Sequence, residues 1–378
     1  MKPALIRREP VLNRQQAMTA SRLVVHAETA GQAAELLNEL ADLWPTSRNV
    51  FVGLSGCIPD KELLAWQPPE NALLEIPATT LASPATQELV VALGNGNVPL
   101  CMDGYAAGMS LPPVPAFRFL LADFRTDPSL PNPPGVALAK NVPDINAFAK
   151  ALNSGYNGAA GWFFLYGRPL LEKLNPAHAQ IVRILNLVRK NAPIKEIEMA
   201  LKQDVAVSYK LLRYINSAGF GLSCEIESFR HAVAILGYDK LNKWLSLLLV
   251  TASHDPAAPA LMQTSIARGR LMEILGKDLV EPEMLDNLFI TGAFSLLGVL
   301  LGARVETVLA EMHLPEPITD AILHNQGMYF GLLDLARACE DESSTVLAAK
   351  AAALGISIAR LNRAQLEALR FADTMQSS

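Results

Sequence analysis

Eight residues, CMDGYAAG (101–108), carry the first hint of chemistry: an apolar run delivers one acid, Asp103, and two glycines follow around a tyrosine. The longer stretch VALGNGNVPLCMDGY reads as a helix end, a turn and a strand with Asp103 at its C-terminal tip. A carboxylate at a strand tip beside a pliable turn is where a barrel enzyme places a metal ligand. Other chemistries have less to work with. No GxSxG, Walker A or GxGxxG pattern occurs, and GNGN (94–97) reads as a turn. Of six histidines only His254 precedes an aspartate, in ASHDPAAPA, where Asp-Pro reads as a turn. Cys57, Cys101, Cys224 and Cys339 form no CxxC or Cys/His cluster and read as small buried hydrophobes of a reducing compartment.

The elements that must position Asp103 come in two rhythms. Up to about residue 170, β-like runs alternate with helical ones. SRLVVHA, NVFVGLSG, ALLEIPA, VPLCMDGY, FRFLLADF, GVALAKNV and GAAGWFFL are strand-like; AAELLNELADLW, DKELLAW, ATQELVVALGNG and DINAFAKALNSG are helical. That alternation predicts a parallel α/β sheet or barrel. The proline-rich MSLPPVPA and TDPSLPNPPG stand where crossover helices belong, so a barrel would be trimmed on that side. From about residue 173 the β signals stop, and amphipathic helices follow to the end, with a break expected at Gly237. The expected fold class is therefore α/β plus all-α, with domains at 1–172 and 173–378. RGR (268–270) and Lys240/Lys243 read as solvated helix faces.

At 378 residues the chain has room for two ordinary cores. It is 51% hydrophobic and 18% charged with a net charge of −5, so no basic excess marks a general nucleic-acid binder. MKPALIRREPVLNRQQ lacks the apolar core of a secretory signal. LFITGAFSLLGVLLGA (288–303) is short for a bilayer, holds three glycines and lies between Asp286 and Arg304, so it reads as a buried helix. The expected location is the cytoplasm, without membrane or nucleic-acid partners.

NSAGFG (216–221) followed by IESFRHAVAILG (226–237) resembles the signature of HDOD domains, helical relatives of HD-type metal phosphohydrolases. DVAVSYKLLRYI fits the helix that introduces it. The first half resembles a shortened EAL domain, the barrel that hydrolyses bacterial cyclic di-GMP: REPVLNRQQAM is similar to its opening strand and turn, AGWFFLYGRP to its closing strand. Together they resemble two-domain EAL–HDOD signalling proteins.

The resemblance implies what the site has kept. The family's name-giving glutamate falls at Arg22, the next strand's asparagine at Gly53, and the third strand's glutamate is Glu75. Asp103 keeps the first of a paired DD, whose second member is Gly104. The following lysine falls at Leu121, although Asp123 keeps a later acid. A further glutamate is replaced by Lys140, and the closing glutamine by Ala160. Two divalent ions are not held by Glu75 and Asp103 while Arg22 and Lys140 compete for the same carboxylates. The implied state is no catalytic residue, no metal and no cofactor, with Asp103 paired to Arg22 or Lys140. The alternatives are a pocket in which Arg22 and Lys140 take nucleotide phosphates, making the barrel a cyclic di-GMP receptor, or a residual cyclic di-GMP phosphodiesterase. In the second half the HD dyad falls at Ser295 and Leu296, so the HDOD domain is degenerate. Asn216 and Ser217 end a helix, Phe220 and Leu222 fill the core, and His231 is a partner contact or a satisfied core histidine. The implied function is a non-catalytic bacterial regulator binding protein partners through its HDOD domain, with cyclic di-GMP as a candidate ligand.

Overall fold

The computed structural model describes residues 3–376 except 96–97, 112–116, 169–175, 203–225, 227, 251–255, 313 and 342. The chain divides into two compact units: residues 1–167 with 338–366, and residues 168–337 with 367–378. Residues 338–366, expected with the helical domain, instead pack with the strands.

The first unit is a closed eight-stranded barrel. Its strands are β1 (Leu5–Asn13), β2 (Met18–His26), β3 (Asn49–Ser55), β4 (Ala72–Pro77), β5 (Leu100–Asp103), β6 (Phe117–Asp123), β7 (Val136–Lys140) and β8 (Gly158–Ala160). β2 to β8 are parallel, as the alternation of strands and helices predicts. β1 is not: it runs antiparallel to both neighbours, because the four residues between β1 and β2 form a turn too short for a crossover. GAAGWFFL also differs from expectation, since only Gly158–Ala160 is strand and Phe163–Leu165 is a 3₁₀ turn. DKELLAW forms a 3₁₀ helix over Lys61–Ala65.

Among the described residues three α-helices connect strands: α1 (Ala30–Glu39), α2 (Pro84–Asn95) and α3 (Ile145–Asn153). Thr29 and Asp144 start α1 and α3 by accepting from the backbone N–H of Gln32 and Ala147. Between β5 and β6, and between β6 and β7, no helix occurs among the described residues. The second of these connections is held by direct contacts instead. The Leu130 N–H donates to Ser154 C=O, and Tyr156 Oη donates to the Asp127 carbonyl at 2.5 Å. Gly155 makes the approach feasible: its φ is +108°, and a Cβ there would sit 1.9 Å from the Leu130 carbonyl oxygen.

The second unit is helical. Its described helices include α4 (Pro176–Arg189), α5 (Ile194–Lys202), α6 (Phe229–Val250), α7 (Ala258–Gly276), α8 (Leu285–Phe294), α9 (Leu297–Leu301), α10 (Val305–Ala310) and α11 (Glu316–Thr319). α6 breaks at Gly237, where φ is +73°, as the sequence predicts. α7 is buried all round rather than on one face, as befits a helix at the centre of a core. RGR is therefore not a solvated face. Arg268 is buried and donates to Ser295 Oγ, while Arg270 pairs with Glu273 and Glu367 and lies over the Phe371 ring. The 288–303 run is buried in α8 and α9.

The chain ends with α12 (Phe330–Asp341), α13 (Ser344–Ala353) and α14 (Ile358–Gln376). Among the described residues no single helix is long and apolar enough to cross a membrane; α13 and α14 pass by length and composition only as a pair bent by 104°. Replacing Gly155 with alanine is expected to lower barrel stability by about 2 kcal/mol, seen as an earlier barrel transition in urea.

Candidate functional site

Side chains alternate in and out along a strand, so residues two apart form successive layers inside a barrel. One layer is apolar: Val11, Ala20, Phe51, Leu73, Cys101, Leu121, Leu138 and Ala160. Two residues further toward the C-terminal tips of the parallel strands lie Arg22, Gly53, Glu75, Asp103, Asp123 and Lys140; antiparallel β1 adds Glu9, two residues before Val11. Every position of the polar layer thus rests on a hydrophobic floor.

Arg22 dominates this layer. Its Nε and Nη2 donate to the two carboxylate oxygens of Glu75 at 2.7 and 2.8 Å, a bidentate fork, and its Nη1 donates to Glu9 Oε2 at 2.8 Å. Arg22 is 8% exposed and Glu75 1%. Burial alone would depress the guanidinium, but Glu75 and Glu9 outweigh it and hold it well above its ordinary value. Burial pushes the Glu75 carboxyl up, and Arg22 opposes the shift. Gly53 provides the room: a Cβ there would meet Glu75 Oε2 at 2.4 Å and Arg22 Nη2 at 3.4 Å. The ion pair and the glycine are one feature.

A second pair joins β5 to β7, with Lys140 Nζ donating to Asp103 Oδ1. This resolves the partner of Asp103: it is Lys140. Both residues also act electrostatically on Glu75. Asp123 faces elsewhere, accepting from the Arg125 N–H, Nε and Nη2 and from Asn141 Nδ2. Those hydrogen bonds, led by the Arg125 side chain, hold its pKa at about 2. Beneath the layer, burial and the Glu75 carboxylate push the Cys101 thiol well above its ordinary value, the opposite of what a nucleophile needs.

The chain thus brings Arg22 to Glu75 and Lys140 to Asp103. Sequence reasoning missed Glu9, which lies on the strand whose direction was not foreseen, and Arg7, which reaches Glu9 at 3.6 Å. The signal available was the two-residue spacing from Glu9 to Val11. Three carboxylates, Glu9, Glu75 and Asp103, face three cations, Arg7, Arg22 and Lys140. A divalent ion such as Mg²⁺ needs free carboxylate oxygens in near-octahedral array, and here Arg22 and Lys140 already engage those oxygens. The residues present do not fit a divalent metal pair. Among the described residues no group of three or more His, Cys, Asp or Glu is placed to hold a metal ion.

In the helical unit, Ser295 Oγ donates to the Gly292 carbonyl at 2.6 Å and accepts from Arg268 Nη1 at 2.5 Å; Leu296 beside it is buried. His231 lies in the first turn of α6, half-buried, its backbone N–H donating to Ser228 Oγ. Asn216, Ser217, Phe220 and Leu222 lie outside the described residues, as do Cys224 and His254.

The family model of the HDOD domain matches residues 174–326. Over 214 residues the chain is 27% identical to the uncharacterized protein YuxH of Bacillus subtilis, covering 55% of this chain and 52% of that one. Over 236 residues it is 25% identical to the cyclic di-GMP phosphodiesterase CdgJ of Vibrio cholerae, covering 62% and 55%. The chain spans about half the length of these curated relatives. Among solved structures, the EAL domain of FimX from Pseudomonas aeruginosa, bound to c-di-GMP, overlaps 44% of this chain and 90% of its own at 16% identity and a TM-score of 0.32.

Arg22→Met is expected to cost about 3–5 kcal/mol by leaving Glu75 buried and uncompensated, and Arg22→Met with Glu75→Met to recover most of it in thermal melts. Without Arg22 the raised Glu75 pKa takes up a proton on folding, so the deficit of the single variant shrinks as pH falls. The depressed Asp123 pKa gives the opposite sign. Its contribution is present above the unfolded carboxyl value and is lost as pH falls through about 2. In Arg125→Ala, carbon-detected titration of Asp123 is expected to return toward the ordinary carboxylate range.

Proposed function

We propose that this chain is a cytoplasmic bacterial signalling protein of the cyclic di-GMP type, in which the barrel has exchanged hydrolysis for a fixed network of ion pairs. The HDOD domain then supplies the output by binding protein partners. The observation that carries the reading is the Arg22 fork onto Glu75 with its third bond to Glu9, seconded by Lys140 on Asp103. In-line attack on a phosphodiester requires carboxylate-held metal and an activated water. In this mouth guanidinium and ammonium groups occupy the carboxylates that would hold the metal. His231 on α6 is the described signature residue proposed for partner contact, and Gly237 sets the bend beyond it.

A second reading keeps the nucleotide, and the likeness to a protein named a cyclic di-GMP phosphodiesterase favours it. Arg22 and Lys140 are suited to phosphate oxygens, yet binding would require a dianion to draw them from buried or half-buried carboxylate partners. A receptor role therefore predicts rearrangement of both pairs.

Calorimetric titration with cyclic di-GMP, with and without Mg²⁺, decides among these when the recovered nucleotide is checked for cleavage. The expected result is intact nucleotide and no heat that depends on metal. Cleavage abolished by Glu75→Ala with Asp103→Ala would establish a phosphodiesterase; tight binding without cleavage, lost in Arg22→Glu, would establish a receptor.

A further inference from the structure

The barrel closes through a short seam. β8 contributes three residues and pairs with β1 only at Val11, Leu12 and Asn13. The rest of β1 pairs with β2 along one edge, and among the described residues no strand borders its other edge. In an antiparallel pair, successive residues direct their N–H and C=O groups to opposite edges, so Ala4 and Ile6 present theirs on the side away from β2. Such an edge is costly when buried without partners.

Side chains of α14 supply the partners. Asn362 Oδ1 accepts the Ile6 N–H at 2.9 Å, and Asn362 Nδ2 donates to the Ala4 carbonyl at 2.9 Å. Gln365 Nε2 donates to the Ile6 carbonyl at 3.0 Å. Asn362 is 1% exposed and Gln365 5%, and the two lie three residues apart on one helix face. A carboxamide carries the same donor and acceptor as a peptide group, so these two imitate a stretch of neighbouring strand. Between them Arg363 is fastened to the Asp42 carboxylate at 2.8 Å and to the Glu39 carbonyl at 3.2 Å.

The clamped strand is also the strand that holds Arg22. Ile6 turns its backbone to Asn362 and Gln365, and three residues on, Glu9 turns its carboxylate to Arg22. In chain order the HDOD match lies between the last strand and this helix.

We propose that residues 358–366 are a strap that sets the position of β1 and, through it, the grip of Glu9 on Arg22. Tight, it keeps Arg22 shared between two carboxylates; released, it leaves Arg22 with Glu75 alone and the β1 edge exposed. The device requires neither hydrolysis nor nucleotide binding, so its failure and that of the preceding reading are separable.

The test compares the full chain with its Asn362→Ala/Gln365→Ala variant by amide exchange and by the guanidinium proton signals of Arg22. Loss of buried hydrogen bonds is expected to speed exchange at Ile6 by about tenfold. The Arg22 protons should exchange several-fold faster and their signals should move, while the amides of β4 and β5 keep their protection. Faster exchange at Ile6 with unmoved Arg22 signals would overturn the proposal, leaving a simple edge cover. Unchanged exchange at Ile6 would overturn it also. If the double variant does not fold, Gln365→Ala alone carries the same comparison with a smaller change.

Discussion

A guanidinium with three of its donors on carboxylates, enclosed by strands and set above an apolar floor, is the constraint around which the barrel mouth is organised. Arg22 and Glu75 are buried together, where the cost of removing two charges from water is recovered only through good geometry and full hydrogen bonding. The bidentate fork supplies the geometry, and Glu9 takes a donor on the third nitrogen, Nη1. Glu9 can do so only because β1 runs backward, which places it directly across from Arg22 in the β1–β2 register. Strand direction, glycine at 53 and the shape of the network are therefore one solution.

The same accounting of hydrogen bonds explains the outside of the barrel. With β8 only three residues long, no described strand borders one edge of the first strand over much of its length, and a helix far along the chain completes it with two amides. The proline-rich connection between β6 and β7 is closed in a similar manner, backbone against backbone at Gly155, without a crossover helix. At neither place does a neighbouring strand or a crossover helix supply the regular pairing among the described residues, yet the backbone groups of Ala4, Ile6 and Leu130 find partners.

Much of this was legible in the sequence. The runs around Val24, Val52, Leu74, Met102, Leu120 and Ala139 announce six parallel strands because alternation and strand-tip acids are local signals. Asp103 is legible at its strand tip for the same reason, whereas Arg22, Glu75 and Lys140 enter the site only through the resemblance to EAL domains. The direction of β1 was not foreseen, although the four-residue turn that follows it leaves no room for a crossover. The choice of Lys140 rather than Arg22 as partner for Asp103 depends on barrel geometry, not on spacing. The bonds from Asn362 to Ile6 span 356 residues, beyond any periodic pattern. In the helical half, RGR was misread because a one-face rule fails for α7, a helix buried on every side.

Gly53 has a consequence for how this barrel can change. Asparagine there would drive a side chain into the Glu75 carboxylate, so it becomes tolerable only after the Arg22–Glu75 pair is gone. A glutamate at 22, introduced first, would put a third carboxylate between Glu9 and Glu75 and remove the guanidinium that both of them bind. Either change made alone thus lowers the stability of the chain. The barrel mouth works as a lock: Arg22, Gly53 and Glu75 each suit the other two, and a change at one is tolerated only with a change at another.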